Sequence, residues 1–119
     1  GKKSPSLTVE TRPGENAKIP YFQPGGTPVV KRGGRVNWWG RDPNWTDTLG
    51  FRGARDVERP HGEWNRLDVI CDGDRITTIL NGVLVNEGKN SSHTEGKITL
   101  QTEGAEIFYR KFEIRPLVK

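Results

Sequence analysis

The sequence predicts an all-β protein built from antiparallel strands. Apolar and polar residues alternate over runs of four to eight residues, the pattern of half-buried strands. Asx-Gly pairs separate the clearest runs, and these residues reach the positive φ angles that a tight hairpin turn requires. Gly (15) and Pro (8) supply about a fifth of the 119 residues, and no stretch has the pattern of a long helix. We therefore expect a single antiparallel β-sandwich domain over residues 1–119.

Short strands are predicted in the N-terminal part of the chain. In the first of them Leu7 and Val9 lie on one face, because side chains two residues apart share a face of a strand. Pro20 weakens the second, which is expected at a sheet edge or a bulge because proline lacks a backbone donor. The four predicted strands are Ser6–Glu10, Lys18–Gln23, Thr27–Val30 and Arg35–Trp39.

The stretch Gly40–His61 has no clean period. Loops of this length in a compact domain are usually functional or disordered, and the aromatic residues here argue against disorder. We expect an ordered loop that packs over one end of the sandwich.

The clearest prediction is a three-stranded antiparallel meander over Asn65–Asn86. Asp72-Gly73 separates its first two strands, and Asn81-Gly82 separates the second from the third. Cys71 lies on the apolar face of the first strand beside Val69, so it is expected to be a buried, inert thiol.

Two further strands, Lys97–Glu103 and Glu106–Arg115, are predicted near the C-terminus. The apolar residues of the second change parity, from Ile107 and Tyr109 to the even-numbered positions that follow. A β-bulge near Arg110-Lys111 would bring both sets to one face, because one extra residue reverses the alternation.

Charge, hydropathy and cysteine content argue against several classes of protein, with nucleic-acid binding kept as a third and weaker hypothesis. The net charge is +4, but basic and acidic residues are interspersed, so we expect no nucleic-acid partner. No segment approaches the roughly 18 apolar residues of a membrane span, and we expect no membrane partner. One cysteine forms no internal disulfide, and with two histidines it makes a Cys/His zinc site improbable.

Several spaced motifs of residues 62–117 agree in order with one family. The chain has Gly-Glu-Trp-Asn at the start of the meander, Leu-Asn-Gly at its second turn, Gly-Lys-Ile-Thr-Leu-Gln-Thr-Glu-Gly after it, and a last strand ending in Arg-Pro-Leu. This stretch resembles the C-terminal part of the 3-keto-disaccharide hydrolase family, which was long classed as a glycosyl hydrolase domain of unknown function. Residues 34–59 resemble it loosely.

The resemblance implies a concanavalin A-like jelly-roll sandwich. Because the family's domain is longer than this chain, it implies an incomplete, C-terminal portion of that fold. It also implies a periplasmic or secreted protein, and a hydrolase acting on glycosides oxidised at C3. The alternative is a carbohydrate-binding β-sandwich without turnover. In both cases the partner is a carbohydrate.

Aromatic and polar residues cluster around the loop. An indole packs on the flat C–H face of a sugar, while Arg and Asp bond its hydroxyls. Trp38, Trp39, Arg41 and Trp45 are therefore candidate substrate-binding residues. The alternative is that the tryptophans belong to the core. Trp38 and Trp39 point to opposite faces if they lie in a strand, so at most one of them is core.

Carboxylates are the next requirement of a glycosidase. Glu103 and Asp42 are the catalytic candidates, and Gln101 joins the substrate-binding set because it shares a strand face with Glu103. His61 is a further binding candidate beside Glu63. The alternatives are a solvated strand face for Gln101 and Glu103, and an ion pair inside the loop for Asp42. The other candidate carboxylates are Asp47, Asp56, Glu58 and Glu63.

The Glu-x-Asp-x-Glu strand of related glucanases is absent, which argues against direct displacement. The resemblance implies elimination instead, in which a 3-oxo group acidifies the C2 proton; this needs a general base and an electrophile. No cofactor is required, although a calcium or other divalent ion bound by loop carboxylates is compatible with the sequence. A cut sandwich exposes strand edges, so we expect a homo-oligomer.

Overall fold

The computed structural model describes residues 4–14, 19–102, 104 and 106–118. In these residues the protein is all-β, with six strands in one antiparallel sheet and no helix. The strands are β1 (Ser6–Arg12), β2 (Tyr21–Phe22), β3 (Thr27–Arg32), β4 (Leu67–Asp72), β5 (Arg75–Leu80) and β6 (Val83–Lys89). The predicted all-β class and antiparallel pairing are confirmed. Nothing in the described ranges is a helix long and apolar enough to cross a membrane.

The first strand organises the sheet. Val9 is paired with Val29 of β3 on one side and with Gly88 of β6 on the other. Further along β1, Thr11 is paired with Thr27 of β3 on one side and with Phe22 of β2 on the other. Because a strand has only two edges, β2 and β6 share one edge of β1, and β3 takes the other. Beyond β6 come β5 and β4, so β3 and β4 are the outer strands.

The predicted meander is confirmed as β4, β5 and β6. Asn81 (φ 50°) and Gly82 (φ 82°) both have positive φ, the signature of a two-residue type I′ turn between β5 and β6. Gly73 (φ 60°) begins the turn between β4 and β5. The pairing of β5 with β6 shifts register between Thr78 and Ile79, an irregularity that the sequence pattern did not indicate.

A small core lies where β1, β2, β5 and β6 meet. Its buried apolar residues are Val9, Tyr21, Phe22, Leu80 and Val85. The segment before the loop, predicted as the strand Arg35–Trp39, makes only one bridge to this region, from Asn37 to Tyr21. The Trp39 amide then donates to the Val85 carbonyl (3.0 Å). This segment therefore delivers the following loop to the end of β6.

The two strands predicted near the C-terminus are wrong for the described residues, because 97–102 and 106–118 join no ladder. The expected bulge near Arg110-Lys111 therefore has no ladder to interrupt. Glu113 pairs with Lys111 (3.3 Å) and with Arg115, two residues to either side. Side chains two residues apart lie on the same side of an extended chain, so these ion pairs are compatible with the alternation, but the predicted strand is absent from the described residues. The alternation gave no information about which strand this segment would pair with.

The prediction of a buried Cys71 is also wrong, since this residue is exposed. Cys71 lies on the outer strand β4 together with Leu67 and Val69, which are 53% and 54% exposed. Alternation placed these residues on one face, and no described element covers that face. All six described strands belong to one sheet, so a jelly roll with two facing sheets stays a prediction.

Candidate functional site

A cleft of about 690 Å³ is formed within one segment, residues 45–65. We call residues 40–66 the cleft loop. It connects the Asn37 bridge to β4 and contains no strand, as predicted for Gly40–His61. The lining includes one tryptophan, one histidine and four carboxylates, namely Trp45, His61, Asp47, Asp56, Glu58 and Glu63. A cavity of this size is in the range that holds small ligands.

Two turns shape the first half of the cleft loop. The Asp42 carboxylate accepts a hydrogen bond from the Asn44 amide (2.8 Å), and the Trp45 amide donates to the Asp42 carbonyl (3.1 Å). The Asp56 carboxylate accepts from the Gly53 amide (2.7 Å), and the Asp56 amide donates back to the Gly53 carbonyl (3.3 Å). Local side-chain-to-backbone bonds of this kind stabilise turns.

The two turns are packed against each other. A Cβ on Gly53 would lie 2.6 Å from the Asp42 Cβ, so glycine allows this approach. Gly40 (φ 88°) lies against the Arg55 carbonyl, only 2.5 Å from where a Cβ would be. The loop is therefore folded back on itself, and two of its glycines are required for that contact.

Asp42 contributes to the structure of the loop and does not line the cleft. Trp38, Trp39 and Gln101 do not line it either. Of the predicted binding residues, Trp45 and His61 do. The second catalytic candidate, Glu103, lies outside the described residues.

Trp45 forms an aromatic wall of the cleft. It is 45% exposed, and the Arg41 guanidinium lies 4.3 Å from the centre of its ring. Such a cation–π contact holds the indole in one orientation. Arg41 does not itself line the cleft, but it contacts the ring of the tryptophan that does.

Glu58 is the carboxylate of the cleft whose surroundings shift its pKa. Burial of its carboxyl by the loop raises its pKa, and the neighbouring Asp56 charge raises it further. Arg41 and Arg52 act in the opposite direction. The residue as a whole is exposed and lines the cleft, so the burial of its carboxyl is partial. A carboxylate with a raised pKa in a cleft is a candidate general base.

Arg52 holds the backbone of Glu58 in place. Its guanidinium donates to the Glu58 carbonyl (2.6 Å), which fixes Glu58 relative to the Gly53 turn. No described residue donates a hydrogen bond to the Glu58 carboxylate itself. Glu58 is one of six candidate carboxylates in the sequence, and nothing in the sequence distinguishes it, because desolvation depends on which loop atoms fold over it.

A second cleft of about 340 Å³ lies on one face of the sheet, beside Val9, Val36 and Asn86. It contains none of the predicted site residues. The described residues also contain no group of three or more His, Cys, Asp or Glu side chains that could hold a metal ion.

Comparison with known proteins identifies the family. The sequence profile of the 3-keto-alpha-glucoside-1,2-lyase-like domain matches residues 7–115. Comparisons with curated proteins and with solved structures found no match. The profile spans nearly the whole chain, including both the cleft loop and the motifs of residues 62–117. The chain therefore belongs to the 3-keto-alpha-glucoside-1,2-lyase-like domain family, the family that its C-terminal motifs resemble.

Proposed function

We propose that this domain cleaves glycosides oxidised at C3, with the cleft loop as the active site and Glu58 as the general base. The observation that supports this most is a carboxylate of raised pKa in the same cleft as an exposed, oriented tryptophan. The family membership supplies the reaction class.

The proposed reaction is an elimination followed by addition of water. Glu58 removes the proton at C2, which the neighbouring 3-oxo group acidifies, and the electron pair forms a C1–C2 double bond. The bond from C1 to the glycosidic oxygen breaks, and the departing alcohol takes a proton. Water then adds its hydroxyl to C1 and a proton to C2, which restores the keto sugar.

The other described residues of the cleft have roles that fit this sequence. Arg41 and Arg52 both act electrostatically on the Glu58 carboxylate, and Arg52, which also lines the cleft, is proposed to supply positive charge where negative charge develops on the sugar ketone. His61 lines the same cleft and is proposed as the acid for the departing oxygen. Trp45 is proposed to pack on the sugar ring.

The test is turnover of a 3-keto-glucoside by the wild-type chain and by Glu58→Gln. Loss of a general base is expected to lower kcat by about 10²- to 10⁴-fold. Glu63→Gln is the matched control, because Glu63 is the same residue type in the same cleft. Equal activity of the two variants would contradict the assignment of Glu58.

Asp42→Asn tests the other described catalytic candidate in the same assay. We expect it to act through the Asn44 turn, with a loss of stability as well as activity. A loss of activity larger than that of Glu58→Gln, at wild-type stability, would return the catalytic role to Asp42. Glu103→Gln, in the same turnover assay, tests the remaining catalytic candidate from the sequence.

The second candidate function is carbohydrate binding without turnover. The half-exposed Trp45, supported by Arg41, is the kind of platform that favours it. Binding of the keto sugar by the wild type without any product, and its loss in Trp45→Ala, would select this alternative.

A further inference from the structure

The side chain of Asn81 connects the turn between β5 and β6 to the cleft loop. Its Nδ2 donates to the Val57 carbonyl (2.9 Å) and to the Asn65 Oδ1 (2.8 Å), and its Oδ1 accepts from the Arg66 amide (2.8 Å). The Asn65 Oδ1 also accepts from the Arg59 amide (2.7 Å). One amide group thereby reaches three places in the loop.

The backbone of Asn81 directs this side chain. The residue has a positive φ, and its amide donates to the Arg66 carbonyl (2.8 Å). Asparagine, aspartate and glycine are the residues that tolerate this conformation best. Aspartate has no N–H groups for two acceptors, and glycine has no side chain. Asn81 thus satisfies both the turn and the connection to the loop.

The two residues that accept hydrogen bonds from Asn81 lie at the two ends of the proposed catalytic segment. Val57 and Asn65 flank the segment 58–64, which contains Glu58, His61 and Glu63. Asn81 itself does not line the cleft. We propose that Asn81 is a positioning residue of the active site, which holds Glu58 and His61 at a fixed separation through Val57 and Asn65. This inference rests on the proposed function.

The test variant is Asn81→Asp. It keeps the tolerance of positive φ and the oxygen for the Arg66 amide, but it loses both Nδ2 bonds and places an oxygen against two acceptors. Asn90→Asp is the matched control, because Asn90 also has positive φ (56°) and lies outside the cleft loop. Asn81→Gly is a second variant that keeps the turn and removes every side-chain bond.

Two measurements are made on the full chain. In hydrogen–deuterium exchange, both Asn81 variants should exchange faster than the wild type at residues 57–66, while β4 to β6 keep their protection. In turnover of the 3-keto-glucoside, kcat should fall by up to about 10²-fold with KM changed much less, the pattern of misplaced catalytic groups. Asn90→Asp should resemble the wild type in both.

Unchanged exchange and unchanged kcat in both Asn81 variants would overturn the inference. So would equal losses in kcat and in protection across the whole sheet, which would indicate general destabilisation. If the wild type itself does not turn over the keto sugar, the proposed function fails. Exchange at residues 57–66 then still decides whether Asn81 holds the loop.

Discussion

The Glu58 carboxyl should make the stability of the protein depend on pH. Because burial raises its pKa above the ordinary value of 4.5, the folded protein holds this proton more tightly than the unfolded chain does. The contribution of Glu58 to stability is therefore present at low pH. It is lost as pH rises through the folded pKa.

We predict that Glu58→Gln removes this dependence. As pH rises from the ordinary value of 4.5 through the folded pKa, the free energy of unfolding should fall less steeply in the variant than in the wild type, because the glutamine has no proton to lose. Urea unfolding at several pH values measures it, with Glu63→Gln as the control. An unchanged slope in Glu58→Gln would show that its carboxyl is not desolvated by folding.

Only some residues of the candidate site could be predicted from the sequence. Trp45 and His61 were predicted from residue type and from their place in an aperiodic stretch, and both line the cleft. Glu58 was not distinguished from five other acids. Its distinguishing property, desolvation, arises when residues far apart in the loop come together, and spacing along the chain does not encode it.

At the scale of elements, local signals were sufficient where the partner is adjacent in sequence. The meander followed from alternation plus two Asx-Gly turns, since each turn fixes the partner of the strand before it. The C-terminal segment shows where this fails. Its alternation predicted a strand, but the described residues there join no ladder, because a partner that is distant in sequence has no local signal.

The cleft loop gives a prediction at the same scale. Gly40 and Gly50 both have positive φ (88° and 84°), but only Gly40 lies against backbone, the Arg55 carbonyl. Gly50→Ala should lower the free energy of unfolding by about 1–2 kcal/mol through left-handed strain. Gly40→Ala should lower the free energy of unfolding by about 1–3 kcal/mol more than Gly50→Ala does, because the Arg55 carbonyl must also move.

Chemical denaturation of the two variants and the wild type measures this difference. Equal losses in Gly40→Ala and Gly50→Ala would mean that the loop is not folded against Arg55. The comparison needs no substrate, so it examines the loop independently of its function.

For the whole molecule, the two outer strands differ in how well they resist pairing with another chain. β3 contains Pro28, Lys31 and Arg32, residues that discourage edge pairing. β4 instead exposes three apolar side chains, Leu67, Val69 and Ile70. We expect self-association, and we expect it at β4.

Val69→Lys should therefore raise the dissociation constant of the oligomer by about tenfold or more, because a charge would be buried without a partner. Val30→Lys makes the same change on the exposed face of β3 and should leave the association unchanged. Light scattering over a concentration series measures both. A wild type that is monomeric at every concentration would contradict the expectation.

The central claim is that the cleft loop breaks a glycosidic bond by removing the proton at C2. The most direct measurement is the isotope content of the product when a 3-keto-glucoside is turned over in D₂O. The wild type should yield keto sugar carrying deuterium at C2, above the level in a no-enzyme control, and Glu58→Gln should not form this product at a comparable rate. Product that retains its original hydrogen at C2 would contradict the account, because direct hydrolysis leaves that bond intact.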